Sequence, residues 1–243
     1  MPESAPPARG NTSERRPLGR PPRISREDIA RAANDIGLAD VTLKAVADRL
    51  GVSIAGLYYH VEGKEELLRL AADYSAHRPD TPVDRGQHWS VWLLEWASFT
   101  YHAFVDDPGL IAQYLEGAIS AETIADNIDA ILGVLVRQGF TTRQAFRAYS
   151  ATSGCAVGMA IGELHEAGST RNGRPVVAGY ATVLAERGPG ELPNVRALVA
   201  DLAVGGPPEF LDKLTFVLVG IAVEHGEDPA KVRRRLRAAK LPR

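Results

Sequence analysis

The stretch TLKAVADRLGVSIAGLYYH, residues 42–60, constrains this chain more than any other. Thr42 is a good N-cap, because its hydroxyl can accept a free N–H of the first helical turn. Leu43, Val46, Ala47 and Leu50 recur at spacings of three and four, so they share one helical face. Gly51 follows, where a helix end favours a left-handed residue. Ser53 then caps a second helix, predicted to run to about His60. Ala47 is small enough to let that helix cross close over the first. Together these features make a helix-turn-helix, whose second rod suits a DNA major groove about 12 Å wide. A helical hairpin inside an all-α core is the competing reading of these residues alone.

The flanks extend the pattern. Ser25 with Asp28 makes a capping-box-like start to an earlier helix carrying Ile29, Ala32, Ala33 and Ile36, which Gly37 ends. After His60, Gly63 sits where another helix can begin. Glu65 and Glu66 in its first turn suit the helix dipole, and Leu67, Leu68, Ala71 and Tyr74 form its apolar side. Lys64, at the start of that helix, is placed to grip a phosphate beside free N–H groups, or else is simply solvated.

Charge divides the chain. Residues 1–78 carry 12 Lys and Arg against 11 Asp and Glu, residues 79–228 carry 9 against 19, and residues 229–243 carry 7 against none. An acidic middle repels phosphate, so DNA contact is expected from the first segment. That segment is only marginally basic, so charge alone does not make a DNA-binding protein. Residues 1–24 are rich in Pro, Gly and Arg without periodicity. They are expected to be a disordered basic arm, with Arg9, Arg15, Arg16, Arg20 and Arg23 available to a DNA backbone or simply solvated. No apolar run approaches the ~20 residues of a membrane span, and the N-terminus lacks a signal-peptide core, so a cytoplasmic protein is expected. The single cysteine, Cys155, excludes an intrachain disulfide and a Cys-cluster metal site. No metal or cofactor is expected.

The segment ISREDIARAANDIGLADVTLKAVADRLGVSIAGLYYHVEGKEELLRLA resembles the DNA-binding domain of the TetR family of bacterial transcription regulators. LYYHVEGKEELL is similar to the tetracycline-repressor branch in particular. The resemblance covers about residues 25–72, and only the link before Thr42 is shorter than is common. It implies that Lys44 reaches a base or phosphate. Ser53, Ile54, Ala55 and Gly56 begin the recognition helix, the last three facing the groove floor. Tyr58, Tyr59 and His60 meet the backbone, and Lys64 clamps a phosphate. At 100° per residue, Leu57 and Val61 pack inward and Ala55 and Tyr59 point away, while Ile54 falls near the Leu57 side. Ile54, Ala55 and Gly56 have no side-chain hydrogen-bonding group, so Lys44 is expected to be the main hydrogen-bonding base reader.

The rest of the chain is helical in pattern. From Gly86 to Val105, Trp89, Trp92, Trp96 and Phe99 share a face, with His88, Glu95 and His102 beside it. Such a stripe is core or ligand wall, and the polar residues either orient a ligand or are solvated. The resemblance implies an effector pocket here, with Trp89, Trp92, Trp96, Phe99, His102 and Tyr114 as its candidates. Pro108 ends the helix that begins near Gly86, Gly109–Leu115 forms a short piece, Ser120 caps a helix to Gly139, and Thr142 caps one to about Glu166. Gly154, Gly158 and Gly162 in that last helix recur every four residues. Each costs ~1 kcal/mol against alanine, so they are expected to serve close approach of another helix. Cys155 and Met159 are packing residues. Residues 168–194 are a surface connection or a flap with a short helix near Val176–Glu186. Asn194–Ala203 is a short helix, and Pro208–His225 is apolar around much of its circumference. The resemblance implies that the helices at 142–166 and 208–225 pair with their copies into a dimer four-helix bundle, through Gly154, Gly158, Gly162, Leu214, Leu218 and Ile221. The tail from residue 229 is Arg-rich and helical in character.

The expectation is an all-α chain with four parts. They are a basic arm (1–24), a three-helix DNA-binding domain (25–78), a larger effector and dimerisation domain (79–228), and a basic tail (229–243). The expected partners are a palindromic double-stranded DNA operator, a small-molecule effector and a second copy of the chain, with no membrane. A homodimeric repressor released by an antibiotic-like or other apolar effector is expected, with a ligand-dependent activator as the alternative. A helical-bundle enzyme is remote, because the chain has no G-x-S-x-G, P-loop, H-E-x-x-H or di-metal carboxylate pattern.

Overall fold

A computed structural model describes residues 24–76, 81–173, 175–202 and 207–239. The basic arm expected at residues 1–24 lies outside them apart from Ile24. Among the described residues the secondary structure is α-helical, with twelve helices in order. The first four are α1 (Arg26–Ile36), α2 (Leu43–Leu50), α3 (Ile54–Leu57) and α4 (Lys64–Ser75). The larger part is α5 (Trp89–Asp106), α6 (Pro108–Leu115), α7 (Ala121–Arg137), α8 (Thr142–Arg171), α9 (Val176–Glu186), α10 (Pro193–Leu202), α11 (Pro207–Glu224) and α12 (Pro229–Ala238).

Local chemistry sets the ends of these helices. Ser25 and Asp28 form a reciprocal capping box on α1. The Thr42 side chain accepts the Ala45 N–H, and Gly51 is left-handed at φ 66°, ψ 31°, so α2 is closed at both ends. Ser120 caps α7. At α8 the cap is Thr141 rather than Thr142. Counted from Thr141, the third helical residue is Gln144, whose amide oxygen takes the Thr141 N–H at 2.9 Å and completes the box. Counted from Thr142 that place falls to Ala145, which has nothing to offer. The helix also continues to Arg171, past the expected Glu166.

Two apolar cores run along α5. The first joins Trp89, Trp92, Leu93 and Trp96 of α5 to Leu135, Ala148, Leu214, Leu218, Val232 and Leu236. The second joins Ile29, Val46, Ala47, Leu57, Val61 and Leu67 of α1–α4 to Phe104, Leu110 and Ile111 of α5 and α6, and to Ala160 of α8. The small N-terminal unit therefore does not close its own core. Fully burying residues such as Ile29 or Leu67 contributes about 1.5–3 kcal/mol each, and part of that burial is against the larger unit. α5 is buried around most of its surface, including Glu95, whose carboxylate takes the Arg85 guanidinium at 2.8 and 2.9 Å and the Gln87 amide at 2.9 Å.

Candidate nucleic-acid interface

The geometry of α2 and α3 follows from three small features. The Val52 N–H returns to the Ala47 carbonyl at 3.0 Å, tightening the turn after Gly51. Ser53 accepts the Gly56 N–H at 3.1 Å and starts α3. Leu57 and Val61, both essentially fully buried, anchor α3 over the buried Ala47. The regular helix ends at Leu57, short of the expected His60, and Tyr58 to His60 continue as a tight turn. The Val61 N–H still bonds the Leu57 carbonyl at 3.0 Å, so the turn holds its register.

What this anchoring leaves outside is the candidate surface. Lys44, Ser53, Ile54, Ala55, Tyr58, Tyr59 and Lys64 are exposed, and Gly56 and His60 are half-buried. Tyr59 is 89% exposed and Tyr58 55%, large aromatic rings that the fold itself does not use. Ile54 is exposed too, since the turn of α3 carries it off the Leu57 side. A β-carbon on Gly56 would meet the Ser53 Oγ at 3.4 Å and the Val52 Cβ at 4.0 Å, both ordinary contacts, so packing among the described residues does not require glycine there.

A support that sequence reasoning missed holds the end of this surface. The Arg26 guanidinium donates to the His60 carbonyl and pairs with Glu66 at 2.8 Å. Glu66 also accepts the Glu62 N–H at 2.6 Å. That backbone bond and then Arg26 hold the Glu66 carboxyl below its ordinary pKa. The pair is 40 residues apart in sequence and carries no periodic signal, so only a family pattern could have exposed it.

The candidate effector residues separate into groups. Trp92 and Trp96 stack at 5.9 Å and 18°, and Phe99 follows Trp96 at 5.9 Å. Tyr149 and Ser153 of α8 join them: Tyr149 lies edge-on to Trp96 at 6.3 Å, and Trp96 Nε1 reaches Ser153 Oγ at 3.3 Å. Burial pushes the Tyr149 hydroxyl up, and Tyr114 lies near enough to add to this. Trp92 is 2% exposed, yet its Nε1–H has no partner among the described residues. Trp89 does not belong with this set. Its Nε1–H is spent on Glu227, and its ring packs on Phe140 and His225 in the core. The polar row also disperses. His88 bonds Ser90 and Glu227, Glu95 bonds Arg85 and Gln87, and His102 bonds the Ser98 carbonyl at 2.8 Å while its ring lies by Tyr101 and Phe210.

The expected interface residues need correction in two places. Leu214 and Leu218 are 0% exposed and belong to the chain's own core, because they lie on the side of α11 that faces α5 and α8. The outward side instead carries Phe216 (81% exposed), Gly220 and Val223 (62%), at spacings of four and three that a second apolar face would show in the sequence. Gly154, Gly158 and Gly162 lie on the exposed side of α8. A β-carbon on any of them meets nothing within 4 Å, so the close helix approach they were expected to serve is not made among the described residues. Ile221 lines a half-open groove of about 280 Å³ between α8 and α11, with Arg147, Val217 and Glu224 among its walls.

A capped helix, a left-handed glycine and a short second helix with an exposed polar and aromatic face define a helix-turn-helix protein of the DNA-binding regulator class. The family model of bacterial regulatory proteins, tetR family, matches residues 27–71. Residues 27–71 thus match the DNA-binding domain of that family. The HTH-type transcriptional repressor DrrR1 of Streptomyces coeruleorubidus is 27% identical over 161 residues, which are 64% of this chain and 60% of that protein's length. The tetracycline repressor protein class C of Escherichia coli is 26% identical over 206 residues, covering 82% of this chain and 90% of the repressor. The fold is similar to that of the TetR family protein ActR from Streptomyces coelicolor in complex with actinorhodin. The TM-score is 0.66 at 17% identity, covering 83% of this chain and 96% of that one. No helix among the described residues is long and apolar enough to cross a membrane.

Proposed function

We propose that this chain is a homodimeric transcriptional repressor that binds a palindromic operator through α2, α3 and the start of α4, and leaves it when a small apolar or aromatic effector binds. The observation that carries the reading is the exposed row of Lys44, Ile54, Ala55, Tyr58, Tyr59 and Lys64 beside a firmly buried Leu57 and Val61. A fold that leaves two tyrosines in water over a locked scaffold has prepared a contact surface rather than a core. In a dimer the two copies of α3 would sit about one DNA turn, ~34 Å, apart.

The dimer face is assigned to the outward sides of α8 and α11, where the glycine row and Phe216 and Val223 stand open. The effector is assigned to the ladder of Trp92, Trp96 and Phe99 with Tyr114 and Tyr149. A buried, unpartnered donor costs about 1–3 kcal/mol, and a ligand carbonyl beside Trp92 Nε1 would recover it. The relatives support a regulator, and ActR in complex with actinorhodin supports a fold able to hold a ligand. An effector acts only through its unequal affinity for two conformations, typically 1–3 kcal/mol of coupling.

The test is selection of duplexes from a random pool by the purified chain, followed by a salt series and a reporter. A palindrome should emerge, with affinity falling steeply as salt rises. Recovery of no common sequence at low salt would sink the reading, and activation of the reporter would reverse its sign.

A further inference from the structure

The basic tail finds no use in the operator surface. Asp228 caps α12 through the Ala230 N–H at 2.9 Å, Pro229 opens it, and Val232 and Leu236 are fully buried in the core with Trp89 and Trp92. Everything charged on the helix therefore points outward. Lys231, Arg233, Arg234, Arg235 and Arg237 are all exposed, and among the described residues none of them makes an ion pair or side-chain hydrogen bond. Ten helical residues span about 15 Å, so this is roughly one positive charge per 3 Å of helix. Like charges at that density repel one another, and a polyanion relieves the repulsion while releasing its own counterions.

The position of α12 separates it from α3. Glu227, just before α12, takes the N–H groups of Trp89 and His88 at the first turn of α5, and Arg235 lies close enough to act on His88. Phe104, near the other end of α5, sits in the core of α1–α4. The 18 residues between these ends span about 27 Å. A straight duplex seated on Tyr59 and Lys64 runs past the far end of the molecule from α12.

We infer that α12 is a second nucleic-acid surface, which grips the phosphates of a separate duplex without reading its sequence and so lets one protein molecule bridge two DNA segments. Four of the five cations are arginines, whose fork fits phosphate oxygens in pairs. The occupant is not a membrane surface, because an interfacial helix needs an exposed apolar side and both apolar anchors of α12 are inside the protein. The acidic neighbours do not neutralise it either. Glu227 is engaged by Trp89 and His88, and Glu224 by Arg147.

The full chain is held on an immobilised operator duplex and challenged with a labelled random duplex at about 50 mM salt, where phosphate contacts are strong. The wild type should retain the second duplex and release it by about 200 mM. The variant R233Q/R234Q/R235Q/R237Q should lose tenfold or more of that retention, with operator occupancy unchanged. The same four positions as lysine should keep most of it, which separates loss of charge from loss of fold. A second arm measures random-duplex binding by K44A/K64A, whose operator surface is disabled. The part of that retention which the four glutamines remove belongs to α12, so this arm stands whether or not an operator is found. The inference fails if the wild type captures no second duplex, or if the glutamine variant captures as much. It also fails if phosphatidylserine vesicles are bound in place of DNA, or if salt-dependent association of the protein with itself consumes the cations of α12.

Discussion

The Asp107 carboxylate accepts the backbone N–H of Leu38 at 2.8 Å, tying the start of α6 to the link between α1 and α2. The same side chain caps α6 through the Gly109 N–H at 3.0 Å. Next to it, a β-carbon on Gly109 would lie 2.1 Å from the Ala39 nitrogen. The larger unit thus touches the DNA-binding unit backbone against backbone, where a shift of α6 has nowhere to dissipate. Gly109→Ala must force the two apart. Overpacking of this kind costs ~1–3 kcal/mol, so the midpoint of urea unfolding should fall accordingly. An unchanged midpoint would show that the contact is looser than drawn.

Lys44 is exposed on α2, and we propose that it reads a base beside Ile54, Ala55 and Gly56, which have no side-chain hydrogen-bonding group. Lys44→Ala should cost ~1–3 kcal/mol on the selected operator and far less on random duplex. Equal losses in the two anisotropy titrations would make it a phosphate contact.

Gly56 has room for a methyl group within the chain. Gly56→Ala should therefore leave the fold intact, or stabilise it by up to ~1 kcal/mol through helix propensity. On the proposed DNA contact it should nevertheless weaken operator binding about tenfold or more, because the added carbon would stand where the backbone is proposed to approach DNA. Thermal melting together with operator titration checks both halves, and undiminished binding would remove Gly56 from the contact surface.

Phe216 leaves most of its ring in water on the outward side of α11. Phe216→Glu should convert the proposed dimer to monomer in sedimentation velocity without loss of helical circular dichroism. A dimer of unaltered affinity would place the interface elsewhere.

Burial favours the neutral form of His88 in the fold. Its Nδ1 accepts the Ser90 N–H at 3.3 Å, so the proton sits on Nε2 and is donated to Glu227 at 2.9 Å. Burial, which outweighs the attraction of Glu227, holds its pKa below the ordinary 6.5. The unfolded chain then takes up a proton before the folded one does. Stability should be full above about pH 6.5, fall as pH drops towards the folded value, and level off below it. Burial pushes the Glu227 carboxyl up, and the Trp89 N–H and His88 outweigh that to leave it below 4.5, so its own loss belongs to a lower window. Melting temperatures at pH 7.5 and 5.5 should differ less for His88→Gln than for the wild type.

The order of helices, most of their caps and the exposed residues of α2 and α3 were legible in the sequence, though the cap of α8 was misplaced by one residue. Capping, glycine handedness and three-to-four spacing act within a few residues, and the segments α1 to α4 carry all three. Three things were not legible. Leu214, Leu218 and Phe216 are all apolar on one helix, and which of them turns outward depended on where α5 and α8 lie against it. Trp89 reads like Trp92 in sequence, and only the arrival of Glu227, 138 residues later, spent its N–H in the core. Asp107 met Leu38 across 69 residues for the same reason. Local chemistry decides which segments are helices and where they stop, but which face is buried is decided by partners that close only when the whole chain packs, and those leave no periodic mark.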